Sequence, residues 1–359
     1  MRGYWGFLLT FVVASAWAQS DAVRFQTLLE QDWEYVLEHA PEFSTYVGDP
    51  RYNDRWSDRS LDAVKRWEDH DVELLNQLKD IDRETLSAAD RLNYDLFRYN
   101  TEMDVAGHSF PEEYLPVNQL GGVQQQIADL VNRMPAQTVE QFEDIVARLS
   151  TANEPIEQTI ARMQWGLELG VTPPAITLRD VPDQIRAQIV DDPAASPIYQ
   201  PFQSMPDEIP MADQERLRQA AQEAIAQFIV PAYQKMHAFV VNEYLPSARD
   251  SIALVELPDG DAWYRWRVRQ MTTTELTPRQ IHELGLSEVK RIRAEMESII
   301  AETGFEGTFA EFSEFLQTDP QFYYQEKDAL LVAYRDIAKR IDPELPKLFG
   351  TLPRNPYGI

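Results

Sequence analysis

No cysteine occurs anywhere in the 359 residues. That excludes a disulfide scaffold, thiolate zinc ligands and acylation at a cysteine. Glycine is sparse at 14 residues, and there is no Gly-x-Ser-x-Gly elbow, P-loop or dinucleotide-type glycine fingerprint. Acyl transfer through a serine elbow, nucleotide chemistry and nicotinamide chemistry therefore have no motif to rest on. Basic side chains are outnumbered, 33 against 59 acidic ones. The net charge of -26, or -27 without Arg2, repels phosphate backbones and anionic lipid heads and argues against nucleic-acid or membrane-surface partners. The longest apolar run, Tyr4 to Val13, is too short to span a membrane, and no later stretch approaches that length.

What is present begins with "MRGYWGFLLTFVVASAWA". Arg2, the apolar stretch and the Ala16-Trp17-Ala18 pattern predict a signal peptide over 1–18, cleaved after Ala18. The mature chain, 19–359, is then expected to be a soluble periplasmic protein. Its 44% hydrophobic and 11% aromatic content argues against general disorder.

Helical periodicity dominates and alternating β-branched runs are scarce, so the fold is expected to be all-α, a bundle-like array of helices with long proline-rich connections. Phe25, Leu28, Leu29, Trp33, Val36 and Leu37 form one stripe of a helix from Asp21 to Ala40. Ser60 or Asp58 caps a second helix to about Leu78, and Ser87 a third to Gly107. Leu115-Pro116 and Gly121-Gly122 make Pro111 to Gln126 a structured loop. Thr138 and Gln141 suggest a capping box, with Pro155 kinking or dividing the stretch that follows. Thr172 to Pro210 holds eight prolines and no helix longer than about Val181 to Val190, which reads as a surface excursion rather than core. A long helix from Ala212, with Asp213 as cap, runs to Tyr244 and is interrupted at Pro231. Thr277, Pro278 and Gln280 open the next helix, in which Gly285 would let a neighbour approach, and Gly304 closes it. Helices over Thr308 to Leu316 and Lys327 to Ile341 follow.

His282-Glu283 matches the first half of the zinc-peptidase signature, but Leu286 stands where the second imidazole is needed one turn on. His282 is better read as a first-turn capping or packing residue. His39 lies at a helix end, where carbonyl dipoles favour an imidazolium, and His70 in "EDHDVE" reads as a solvated face. His237 reads as a buried, hydrogen-bonded histidine. No two of the five histidines have metal-ligand spacing. Two other stretches carry polar groups in unusual settings. "LPVNQLGG" places Asn118 and Gln119 between a proline and two glycines, either presenting amides to a ligand or closing a structural turn. "PDGDAWYRWRVRQMTT" gathers Trp263, Tyr264 and Trp266 with three arginines, either a carboxylate or aromatic site or packing with compensating ion pairs.

The blocks "HAPEFSTYVGDPRYNDRWSDRS", "LPVNQLGG", "GDAWYRWRVRQMTTTELTPRQIHELGLSEVKRIRAEM" and "FLQTDPQFYY" through "LPKLFGTLPRNPYGI" resemble the successive blocks of a bacterial family, domain of unknown function 885, from about Trp33 to Ile359. That family is similar to helical zinc metallopeptidases of the His-Glu-x-x-His class, in which zinc-bound water attacks an amide carbonyl. The resemblance places the metal motif in a C-terminal half beyond the block "LPRNPYGI". It thereby implies that 19–359 is the N-terminal part of one such helical domain, truncated and inactive alone. No catalytic or metal residue is carried over to this chain, and no cofactor is expected on it. Zinc, and a peptide or small amide substrate, are expected of a full-length homologue. Asn118, Gln119, Tyr264 and Arg267 are the candidates for substrate contact. The alternative is a non-enzymatic periplasmic binding or interaction module.

Overall fold

The computed structural model describes residues 20–355 and 357–359. The expected signal peptide lies outside them. Among the described residues the chain is all-α, with only isolated bridges, Asn118 with Gly121 and Pro174 with Arg249, in place of strands. No described helix is long and apolar enough to cross a membrane. The chain forms two compact units, one up to Glu275 and the other Leu276–Ile359.

In the first unit, helix α1 (Asp21–His39) starts where the Ser20 side chain accepts from the Val23 N–H. The same device opens α2 (Leu61–Lys79) at Ser60 and α3 (Ala88–Gly107) at Ser87. These three helices close on Phe25, Leu28, Leu74, Leu78 and Tyr94, and the Tyr94 hydroxyl donates to the Leu78 carbonyl at 2.9 Å. Gly122, at φ 142°, ends the loop that follows, so α4 (Val123–Val131) begins earlier than the Gln126 boundary expected from sequence. Thr138 caps α5 (Val139–Thr151), but Gln141 reaches back to the Gln137 N–H rather than that of Thr138. The division from α6 (Asn153–Leu169) falls at Ala152, which leaves Pro155 in a first turn where its missing N–H costs nothing.

The segment from Thr172 to Pro210 is core, contrary to its reading as a surface excursion. Leu178, Val181, Ile185, Ile198 and Phe202 are fully buried in the main apolar cluster. Each sits on a short helical turn, several of them opened by a proline that presets φ, so the prolines shape the core packing. The long helix expected beyond it is α7 (Met211–Ala224) and α8 (Val230–Phe239), each followed by a π-helical turn, Ile225–Ile229 and Val240–Tyr244. Pro231 and Pro246 stand just beyond those turns. A proline ring clashes with the carbonyl four residues back, and a wide turn makes the room. Pro210 occupies the cap position of α7, without a side-chain bond, and Asp213 lies in the first turn.

Arg148 is fully buried beneath the aromatic loop between α1 and α2. Its guanidinium donates to the carbonyls of Arg55 at 2.9 Å and of Pro41 and Tyr52 at 3.0 Å, while Trp56 Nε1 donates to the Arg148 carbonyl at 2.8 Å. The unit closes with α9 (Gly260–Thr272).

In the second unit, α10 (Pro278–Glu302) has the full capping box of Thr277 and Gln280, and α11 (Phe309–Thr318) that of Thr308 and Glu311. α12 (Lys327–Ile341) follows. A Cβ at Gly285 would meet nothing within 4 Å, so no neighbour approaches there as the sequence suggested. The stripe Val289, Ile292, Met296 and Ile299 is exposed, and Ile300 is the one buried side chain among the described residues of this unit. Phe305, Phe312, Phe315 and Phe322 make a small local cluster.

Candidate functional site

One cleft of the first unit, about 430 Å³, lies where α2, the end of α3, the loop after it, α6 and α9 converge. Val64, Trp67, Glu68 and Asp71 reach it from successive turns of α2. Asp104, Gly107 and His108 come from the end of α3, Phe110, Glu112 and Glu113 from the loop, Arg162 from α6, and Trp266 and Gln270 from α9.

Packing fixes the aromatic wall. Trp266 Nε1 donates to the Met103 carbonyl at 3.0 Å, and its ring covers Gly107 so closely that a Cβ there would lie 2.5 Å from Cζ2. Phe110 lies between the indoles of Trp263 and Trp266, with ring centroids at 6.0 and 5.4 Å. Trp263, buried behind it, donates through Nε1 to Glu112 at 2.8 Å.

The polar side is mostly anionic. His108 Nε2 and the Asp71 carboxylate are 2.9 Å apart. Burial pushes the Asp71 carboxyl above its ordinary range, against the opposing pull of His108. Asp104 is raised by burial and by the neighbouring Asp71 charge, and Glu113 by burial. Arg162 donates through Nε to the Glu113 carbonyl, and burial lowers its pKa. Behind Asp71 on α2, His70 is not the solvated residue read from sequence. It pairs with Asp32 at 2.8 Å and stacks on Tyr35, whose other face carries His39. His39 Nδ1 meets the Tyr35 carbonyl at 2.9 Å at the helix end. His237 is half-buried, 3.3 Å from Arg186.

None of the four candidate contacts lines this cleft. Asn118 is exposed, and its Oδ1 accepts the N–H groups of Leu120 and Gly121 at 2.8 and 3.1 Å, closing its own turn. Gln119 donates its backbone N–H to Thr177 and accepts at its carbonyl from Gln184, while its buried Oε1 has no partner among the described residues. Arg267 pairs with Glu112, donates to Gln270 at 2.8 Å and stacks 4.9 Å over Trp266. Tyr264, on the same helix, is exposed. His282 is exposed in α10. Among the described residues no three His, Asp or Glu side chains are placed to hold a metal ion. Sequence reasoning missed Trp67, Asp71, Asp104 and His108. The available signal was the Val64, Trp67, Glu68, Asp71 spacing, one inward face of α2.

A family model described as bacterial protein of unknown function (DUF885) matches residues 41–359. No curated protein matches the sequence. Among solved structures, a crystal structure described as a "putative lipoprotein" from Colwellia psychrerythraea is similar, with a TM-score of 0.83 and 19% identity over 94% of this chain. At that identity the likeness shows the fold. This chain covers 62% of that protein's length.

Proposed function

The chain belongs to the DUF885 family, and from that premise we propose that it supplies the N-terminal helical part of an exported, zinc-peptidase-like hydrolase, itself inactive and contributing no metal ligand. The observation that carries this reading is the surface of Leu276–Ile359. Two of its helices carry capping boxes, yet Val289, Ile299, Val332, Tyr334, Leu348 and Phe349 are among its many large apolar side chains more than half exposed. Burying one apolar side chain stabilises by about 1.5–3 kcal/mol. Ordering the backbone costs about 1–2 kcal/mol for each residue. A unit with one buried side chain among its described residues needs a further surface to pack on, which the proposal assigns to a segment bearing the metal motif. The greater length of the similar Colwellia protein is consistent with such a segment, and its description as a lipoprotein supports export. Periplasmic residence after cleavage at Ala18 is part of the proposal. Asn118, Gln119, Tyr264 and Arg267 remain its candidates for substrate contact.

The test extends the coding sequence past codon 359 and compares the product with residues 20–359 alone. Stoichiometric zinc and chelator-sensitive hydrolysis of mixed peptides are expected in the extended protein only. Zinc-dependent hydrolysis by 20–359 alone would overturn the division of roles. A stop at codon 360, with 20–359 monodisperse and silent toward an apolar-surface dye, would instead support the binding module.

A further inference from the structure

We propose that the cleft between α2 and α9 takes an organic cation, an alkylammonium or guanidinium group on an apolar stem, held between aromatic faces and carboxylates. Carboxylates alone are ordinary on so acidic a chain. What sets this place apart is that the half-buried indoles of Trp67 and Trp266 share one volume with them, and Trp266 already carries one cation, the Arg267 guanidinium 4.9 Å over its ring. Aromatic faces attract cations through their quadrupole, and the rings also suit an aliphatic stem, which a hydrated metal ion lacks. A cleft of about 430 Å³ matches a small organic ligand or one long side chain.

Charge decides the sign of the ligand. Glu112 is neutralised by Arg267, and Arg162 is the one Lys or Arg among the lining residues. Glu68, Asp71, Asp104 and Glu113 remain, with His108 drawn to Asp71. Asp104 makes no ion pair among the described residues, and Glu68 has only a distant one, 3.8 Å from Lys65. An anion entering beside Arg162 would meet these carboxylates at close range. Burial, joined at Asp104 by the neighbouring Asp71 charge, holds Asp71, Asp104 and Glu113 above the usual carboxylate range, and a cation in the cleft would favour their charged forms. The inference stands whether or not a metal motif follows the chain.

Two sources share this chemistry, a free polyamine and a basic side chain of a peptide. Residues 20–359 are titrated, in about 0.15 M salt to screen diffuse attraction, with spermidine, with Gly-Lys-Gly amide and with the neutral Gly-Gln-Gly amide, following tryptophan fluorescence and heat. Saturable binding of spermidine or of the lysine peptide, and not of the glutamine peptide, is expected, and whichever binds identifies the source. Asp104→Asn and Glu68→Gln should each weaken it about tenfold, and Asp191→Asn, on an exposed site outside the cleft, should not. Equal binding of the neutral peptide, equal weakening by Asp191→Asn, or no binding of either cation to the folded protein overturns the proposal.

Discussion

At the scale of single residues, Gly107 shows how two opposed effects are weighed. Alanine is favoured over glycine in a helix by about 1 kcal/mol, so Gly107→Ala would stabilise an unobstructed helix. Here the added methyl meets the anchored Trp266 ring at 2.5 Å, and overpacking costs about 1–3 kcal/mol. Net destabilisation, with altered tryptophan fluorescence, is expected in urea unfolding; a gain in stability would show that the ring yields freely. Arg148 is a second such residue, since removing its side chain takes a charged donor from the carbonyls of Arg55, Pro41 and Tyr52, of which Pro41 and Tyr52 keep longer bonds from Thr45 and Arg55. Arg148→Met should cost about 3–5 kcal/mol, and a midpoint within error of the parent would contradict that role. Asp104 yields a pH dependence. Its folded pKa is raised, so the folded state holds the proton more tightly, and stability falls as pH rises from the unfolded value through the folded one. Asp104→Asn should raise the melting temperature at pH 7, an advantage that shrinks towards pH 4. The same change is expected to weaken cation binding, so stability and binding would move in opposite directions. None of this could be read from the sequence, because Asp71 and His108 are 37 positions apart and Gly107 and Trp266 far more.

At the scale of elements, the sequence spoke clearly wherever a local rule governs. Ser60, Ser87, Thr138 and Thr277 each cap a helix as their spacing suggested, because a cap needs only its own first turn. It misled where tertiary packing overrides local pattern. Eight prolines between Thr172 and Pro210 look like a loop, yet Val181, Ile198 and Phe202 owe their burial to helices elsewhere in the chain. The π turns ahead of Pro231 and Pro246 were likewise invisible, since the proline forbids one bond without saying how the helix accommodates it. The local rules make a prediction of their own. Thr277→Ala removes the side-chain acceptor for the Gln280 N–H, leaves the reciprocal bond from the Thr277 N–H to Gln280 Oε1, and should cost about 0.5–2 kcal/mol. In the sparsely packed second unit that loss should appear as faster hydrogen exchange at the start of α10, with exchange in α5 and α8 unchanged. Uniform acceleration of both units would instead show that they unfold as one.

At the scale of the whole molecule, two properties oppose each other. The exposed apolar side chains of Leu276–Ile359 favour association, while a net charge of -26 keeps copies apart. Which prevails depends on ionic strength, because the Debye length falls from about 30 Å at 0.01 M to about 3 Å at 1 M. Contacts made by apolar surface survive that change, whereas repulsion between solvated carboxylates does not. Residues 20–359 should therefore sediment as a monomer at low salt and self-associate as salt rises, the reverse of a complex held by ion pairs. Replacing Val289, Ile292 and Met296 with glutamine should abolish the effect, because these residues lie along one exposed stripe of α10. Salt-independent sedimentation, or association unchanged in that variant, would mean that the exposed stripe does not drive contact. It would also remove the main physical support for a packing partner of the second unit.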